Sequence, residues 1–274
     1  MKLCVAVVGE SNWKSTDEWD VISFANCRDL CLYLHGDSLN VFVSGRPWRR
    51  LDAVLWRLQF DQDSALETTQ LQIIEASGVP CINSAKTMLS FGSRIGSYAA
   101  MSKAGLPIVT QTILSGTRNL SFLKVNLPIV LKCGNAHMGY GKAVCRTPEN
   151  WEDFCDVAHL MDQFVCVEPL IPYIRDIRCL CILGKFFVLE RIPSRWKANV
   201  DPVSVQRASV PKEILAMSKE AAMVLNSDIV GIDWLQQEDG KWVVLEANLS
   251  PGLVGHGRAP IKLVWDALLK AAQP

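Results

Sequence analysis

The chain has no excess charge of either sign. Its 28 lysines and arginines balance 28 aspartates and glutamates, which argues against a general binder of nucleic acid or of an anionic membrane surface. It also lacks a long apolar run, and nothing approaches the roughly 20 residues a membrane-spanning helix needs. Histidine is scarce, with 4 in 274 residues. Only His137 and His256 fall near the segments singled out below, and each reads as a polar loop residue rather than a base. The 10 cysteines include no C-x-x-C pair, the spacing expected of a zinc or redox site. Cys4, Cys133 and Cys166 lie in apolar strand-like runs, Cys179 and Cys181 share one face of a strand, and Cys27 and Cys31 sit in an expected helix. Free cysteine in such places behaves as a small hydrophobe, so a reducing cytoplasm is the natural setting. There is no internal repeat and no low-complexity segment.

What is present is a 49% hydrophobic composition, enough for a sizeable core in one body or a few small units. The opening Met1–Gly9 is apolar like a signal segment. It is short, however, runs into Glu10-Ser11-Asn12 and has no small-x-small cleavage site after it, so a buried strand is expected over 2–9. Apolar spacing predicts a helix within 17–34, strands at 41–43 and Ala53–Trp56, a helix from Ser64 to Ala76 closed by Gly78, and a short strand at 80–83. This alternation predicts a parallel α/β unit, where ligands gather at the carboxyl ends of strands. Gly9-Glu10-Ser11 and Arg57 fall at such ends, although Arg57 also reads as a surface strand-end arginine. Next come one or two helices at 84–104, a strand at 110–114, helices near 117–125 and 149–161, and strands at 129–132 and 164–170. Strands at 175–183 and 186–192, a loop at 193–205, a helix at 211–226, the hairpin bearing Asp233 and Glu246, and a helix at 260–272 complete the chain.

Two segments carry chemistry. In the first, Val130-Leu131-Lys132 is an apolar run ending in lysine, and Gly134, Gly139 and Gly141 precede a second lysine, Lys142. A strand-end lysine beside glycine turns can hold polyphosphate. The ammonium supplies charge, and glycines let backbone N–H groups curl around phosphate oxygens. A plain glycine turn is the alternative. In the second segment, Asp233 sits among Ile232, Trp234 and Leu235, and Glu246 follows Trp242-Val243-Val244-Leu245. Carboxylates inside apolar strands are costly unless paired or metal-bound. Glu246 and Asn248 are two apart and so share a strand face. Two carboxylates and an amide oxygen form a hard-oxygen half-shell suited to magnesium. The alternative is a hairpin turning at 237–240 with its acids at solvated ends.

Taken in order, these residues resemble the ATP-grasp superfamily over nearly the whole chain. The phosphate hairpin at 131–142, Asn83-Ser84 with the helix after it, and Arg195-Trp196-Lys197-Ala198-Asn199 are most similar to the synapsin C domain. Glu168-Pro169-Leu170-Ile171, followed by Asp176-Ile177-Arg178, resembles the family's nucleotide hinge and the strand after it. Arg191-Ile192-Pro193 resembles the ribosomal-protein glutamate ligase branch. Glu246-Ala247-Asn248-Leu249-Ser250-Pro251-Gly252 resembles the D-alanine–D-alanine ligase and glutamate ligase branches. There are two departures. Many relatives carry a nucleotide-contacting lysine where Arg94 stands, which keeps the charge but changes the geometry. Synapsins lack the asparagine found here as Asn248.

The resemblance implies an α/β fold, α+β in the C-terminal part. Its parts are an N-terminal Rossmann-like pre-ATP-grasp domain over 1–85, a small central lid domain with the phosphate loop over 86–168, and a metal-binding C-terminal domain over 169–274. It implies a carboxylate–amine ligase for amino acids or peptides, working through an acyl phosphate and releasing ADP and phosphate. ATP and two magnesium ions, with manganese as a substitute, are the expected cofactors, the metal resting on Asp233, Glu246 and Asn248. Expected nucleotide contacts are Arg94, Lys132, Gly139, Tyr140, Gly141, Lys142, Glu168, Leu170 and Asp176, with Ile129 or Leu245 against the adenine. Arg178, Arg191 and Asn248 are the expected catalytic groups; Arg57, Lys197, Asn199, Ser250 and Gly252 are the expected substrate contacts. The competing readings are a synapsin-like ATP-binding regulator or scaffold without turnover, and a kinase acting on a hydroxyl group. Neither nucleic acid nor membrane is an expected partner. A homodimer is compatible with the apolar residues in 59–74 and the C-terminal helix, which core packing explains equally well.

Overall fold

The computed structural model describes residues 2–58, 64–136, 140–160, 163–193, 196, 202–253 and 256–272. The chain begins with β1 (Leu3–Val8) and β2 (Trp19–Phe24), paired in parallel. A 3-10 turn at Cys27–Asp29 leads to β3 (Cys31–His35), β4 (Ser38–Phe42) and β5 (Arg49–Arg50), an antiparallel sheet of their own. Strand β6 (Ala53–Trp56) returns beside β1, and helix α1 (Ser64–Ser77) leads to β7 (Cys81–Ile82). The parallel sheet has the order β2-β1-β6-β7. The helix expected within 17–34 is therefore a strand, a single 3-10 turn and another strand, and Cys27 and Cys31 lie in different elements. The physical reason lies in the β-branched and aromatic run Trp19-Asp20-Val21-Ile22-Ser23-Phe24, which finds hydrogen-bond partners all along β1. The Asn26 side chain then accepts from the Arg28 amide and caps only the short turn.

Helices α2 (Ala85–Phe91) and α3 (Arg94–Lys103) are separated because Ser93 caps a new start, accepting from the Gly96 amide. A second, antiparallel sheet ordered β10-β9-β11-β8 contains β8 (Thr112–Leu114), β9 (Ile129–Cys133), β10 (Lys142–Cys145) and β11 (Val165–Pro169), with α4 (Pro148–His159) packed on one side. The stretch at 117–122 is 3-10, not the expected α-helix. The third sheet is antiparallel, ordered β14-β13-β12-β15-β16. It contains β12 (Arg175–Ile182), β13 (Lys185–Ile192), β14 (Ser204–Arg207), β15 (Ile229–Gln236) and β16 (Trp242–Asn248), with α5 (Lys212–Val224) and α6 (Arg258–Ala272). Strand β14 lies at the edge of the stretch expected as loop. All four of its residues are exposed, so no buried alternation marks it in sequence.

Strand parity positions the site. On β12, Ile177, Cys179 and Cys181 join Ile214 and Ala221 of α5 in the largest core. Asp176 and Arg178 project from the opposite face. Farther along that face, Leu180 and Ile182 are covered by Val264 and Leu268 of α6 and by Val5, Val7 and Leu55 of the parallel sheet. On β9 and β11, Ile129, Leu131, Val165 and Val167 face Trp151 and Cys155 of α4. Val130, Lys132 and Glu168 are left on the other side. The product is a mixed α/β fold in which two sheets turn their charged faces toward a shared cleft. Among the described residues no helix is long and apolar enough to cross a membrane.

Candidate active site

A cleft of about 630 Å³, open to solvent, lies between the second and third sheets. Val109, Val130, Tyr173, Leu235 and Leu245 form its apolar lining; Lys132, Lys142, Arg191, Asp233 and Glu246 supply charge. Ile129 does not line it. That residue is buried against α4, and its neighbour Val130, which shares the face of Lys132, lines the cleft instead. Leu245 and Glu246 are consecutive, yet both line the cleft. A bulge between β15 and β16, where the register shifts after the Asp233–Glu246 pair to Trp234–Val244, permits this.

Lys132 is buried and its Nζ lies 2.6 Å from Glu168 Oε1. The Tyr98 hydroxyl stands 3.4 Å from the same ammonium and donates to the Leu245 carbonyl at 2.5 Å. Glu168 Oε2 is buried with no hydrogen-bond partner among the described residues. Lys142 lies directly opposite Lys132 across β9 and β10. Its ammonium is 3.1 Å from Glu246 Oε2, and burial lowers its pKa against the pull of that carboxylate.

Asp233 and Glu246 are register partners on β15 and β16. Arg178 donates to both oxygens of Asp233 at 2.7 Å, and Arg191 approaches Oδ2 at 3.2 Å. Glu246 receives Arg94 at 3.2 Å and Lys142 at 3.1 Å, both on Oε2. Burial would raise both carboxyls; these cations hold Asp233 below, and Glu246 well below, their ordinary values. Asn248 lies opposite Gly231 two residues beyond Glu246, and its Oδ1 accepts from the Ser250 amide at 2.8 Å. Among the described residues no group of three or more His, Cys, Asp or Glu could hold a metal. The expected metal set has only two carboxylates, completed by an amide.

Asp176 and His256 carry opposite pH dependences. Burial pushes the Asp176 carboxyl up to about 6 against the pull of Arg191, whose Nε donates to it at 2.6 Å. Its contribution to stability is full below its ordinary pKa and is lost as pH rises through about 6. Burial, aided by Arg178, lowers His256 to about 4. Its contribution is present above its ordinary pKa and is lost as pH falls through about 4. In the native protein the two slopes oppose each other between about pH 4 and pH 6. Asp176→Asn is expected to steepen the acid loss of stability in that window, and His256→Gln to make it shallower. Urea midpoints followed across the window check this, and an unchanged slope in Asp176→Asn would refute the assignment.

The other expected contacts divide three ways. Arg94 does not line the cleft. Its donors go to the Gly134 and Ala136 carbonyls and to Glu246, and its amide donates to Asn135 Oδ1, so it braces the glycine loop. Gly141 closes that loop with its carbonyl accepting from the Cys133 amide, while Tyr140 is exposed. Leu170 lines the cleft, but its N–H is committed to the Pro128 carbonyl at 3.0 Å. The Ser250 N–H is spent on Asn248, and Gly252 is exposed. Arg57 is buried and engaged with Glu10 and the Pro251 carbonyl. Gly139, Lys197 and Asn199, like His137 and Arg195, lie outside the described residues. Sequence reasoning missed Tyr98, Val109, Val130 and Tyr173. Only Val130 had a signal, namely its two-residue spacing from Lys132.

Residues 80–267 match the family model of the synapsin ATP-binding domain. The probable alpha-L-glutamate ligase of Vibrio parahaemolyticus serotype O3:K6 (strain RIMD 2210633) is 24% identical over 270 residues, covering 93% of this chain and 87% of the relative. The solved structure of the ATP-grasp ligase PsnB complexed with minimal precursor, Mg and ADP is similar with TM-score 0.66 and 18% identity over 98% of each chain. The macrocyclase MdnC bound with precursor peptide MdnA, from Microcystis aeruginosa MRC, gives TM-score 0.70 at 12% identity over 98% of this chain and 100% of that one. Likeness at such identities shows the fold. Together with the family match, which spans well over half the sequence, it shows that this chain belongs to the synapsin ATP-binding-domain family within the ATP-grasp superfamily.

Proposed function

We propose that this chain is an ATP-dependent ligase that joins a carboxylate to an amine on an amino acid or peptide, through an acyl phosphate. The observation that carries the reading is the Asp233–Glu246 pair, two facing carboxylates each held by two cations in one cleft. The names of similar proteins support it: one is a probable alpha-L-glutamate ligase, PsnB is described with a minimal precursor, and MdnC with a precursor peptide. In this reading 1–85 is the pre-ATP-grasp domain, 86–168 the lid domain and 169–274 the metal-binding domain.

The residues present fit both ATP and magnesium. The orphaned Glu168 Oε2 is a buried acceptor, matched to the exocyclic amine of adenine, and Val130 and Leu245 supply apolar faces. Glu246 meets both of its cations through one oxygen, Oε2. With Asp233 and the Asn248 amide it makes a hard-oxygen set suited to magnesium. Bound magnesium would neutralise phosphate charge so that a carboxylate can approach the γ-phosphorus.

The chain's own groups do the rest. Lys132 and Lys142 face each other across the hairpin and hold phosphate oxygens. Arg178 and Arg191 stabilise negative charge on the transferring phosphoryl group and on the tetrahedral centre. The donor carboxylate oxygen bonds to the γ-phosphorus as ADP leaves. The amine then bonds to the acyl carbon as phosphate leaves, and the amine's proton passes to solvent.

The test is ADP release from Mg-ATP over pairs of amino acids and short peptides, with hydroxylamine present. Carboxylate-dependent ADP together with a hydroxamate is the expected result. Nucleotide binding without ADP release across the panel would instead mean binding without turnover.

A further inference from the structure

We infer that Arg57 and Glu10 are a positioning pair that sets the Leu249–Gly252 segment, which carries the expected substrate contacts Ser250 and Gly252, and that neither grips a substrate carboxylate. The inference rests on the ligase reading above. Gly9, just past β1, has φ +104, and a Cβ there would lie 2.8 Å from the Arg57 carbonyl carbon and the Leu58 nitrogen. Only glycine lets the ends of β1 and β6 come this close. Their contact sets Glu10 beside Arg57. The Arg57 side chain is 1% exposed, and its Nε and Nη2 both donate to Glu10 Oε1, at 3.2 and 3.0 Å. Nη2 also donates to the Pro251 carbonyl. Glu10 is steadied from its other side, where Oε2 accepts from Trp13 Nε1 at 2.6 Å and the Trp13 ring meets Trp265 of α6 edge-on at 5.1 Å.

Three consecutive residues of this segment are tied to the N-terminal part of the chain. The Leu249 carbonyl accepts from Asn83 Nδ2 at 2.7 Å. Ser250 Oγ donates to the Leu58 carbonyl at 3.0 Å. The Pro251 carbonyl accepts from Arg57. Pro251 in turn packs on Gly231, where a Cβ would lie 2.8 Å from the proline ring, two residues before Asp233. The Ser250 amide also fixes Asn248 Oδ1. The Nε–Nη2 edge of Arg57 is thus occupied, and a substrate carboxylate gripping that edge would have to displace Glu10 from it. The pair instead transmits the position of the parallel sheet to the segment beside the metal carboxylates.

The test uses the full chain with Glu10→Gln, Arg57→Lys and Arg57→Met. Hydrogen–deuterium exchange at the Leu249, Ser250, Gly252 and Leu253 amides needs no turnover. Rates about tenfold faster are expected in Glu10→Gln and Arg57→Met, the loss of one charged hydrogen bond, with Arg57→Lys between them and the native protein. In the ligase assay, acceptor KM should rise by a similar factor for the accepting amino acid and equally for its carboxamide, while hydroxamate formation from the donor changes little. Unchanged exchange, or a KM penalty confined to the acceptor that keeps its carboxylate, would overturn the positioning role. No hydroxamate from the native protein would instead strike the ligase reading, and exchange would still decide the inference.

Discussion

Glu246→Gln is expected to lower ATP-dependent turnover by about a thousandfold or more while the protein stays folded. The carboxylate faces Asp233 across β15 and β16, and its charge is what would hold a divalent ion there. Glutamine keeps the shape and one acceptor oxygen but not the charge. The structural cost is moderate for a reason local to the site. Arg94 and Lys142 both lean on Oε2. When that charge goes, Lys142, already lowered by burial, can shed its proton instead of standing as a second unpaired cation. Arg94 keeps the Gly134 and Ala136 carbonyls. Asp233→Asn should match it in turnover but cost more stability, because Arg178 and Arg191 both lose a buried counter-ion and neither can become neutral. Steady-state ADP release and thermal unfolding of both variants check this. Turnover near the native rate in both would remove the metal assignment.

Lys132→Met should fail in a different way. The ammonium is buried with Glu168, whose second oxygen is already orphaned. Removing one member of a buried pair leaves an uncompensated charge, which costs about 3–5 kcal/mol. Both stability and Mg-ATP affinity are therefore expected to collapse. The double variant Lys132→Met with Glu168→Gln removes both charges, so it should recover most of the stability and none of the affinity. Urea denaturation and calorimetric titration with Mg-ATP separate the two effects. A single variant that unfolds at the native midpoint would show that the pair is not buried as described.

Much of this architecture was legible because strand alternation is a local property. The parity of Ile177, Cys179 and Cys181 against Asp176 and Arg178 needs only the period of a strand, and so does that of Val130 with Lys132. Of the two residues expected against the adenine, Leu245 lines the cleft, whereas Ile129 is one residue off the parity of Lys132 and packs against α4. The helix expected within 17–34 failed because spaced apolar residues over a short stretch fit either period, and pairing with β1 decided between them. Strand β14 gave no signal because it buries nothing. Arg94, Leu170, Ser250 and Arg57 had suitable chemistry, but whether a donor is free depends on what else it reaches. Arg57 meets a carbonyl 194 residues away.

The sequence by itself determined which residues carry charge, which strands bear them and on which face, because side-chain direction follows from neighbours one or two positions away. It also carried the order of motifs that marks the ATP-grasp superfamily. Only the tertiary structure decided which charges neutralise one another. It set Asp233 against Glu246 through an antiparallel register, let Leu245 and Glu246 both enter the cleft through a bulge, and joined Arg57 to Glu10 and the Pro251 carbonyl. These are distances between atoms far apart in the chain. Such distances are fixed by how whole sheets pack, a property no local stretch of residues encodes.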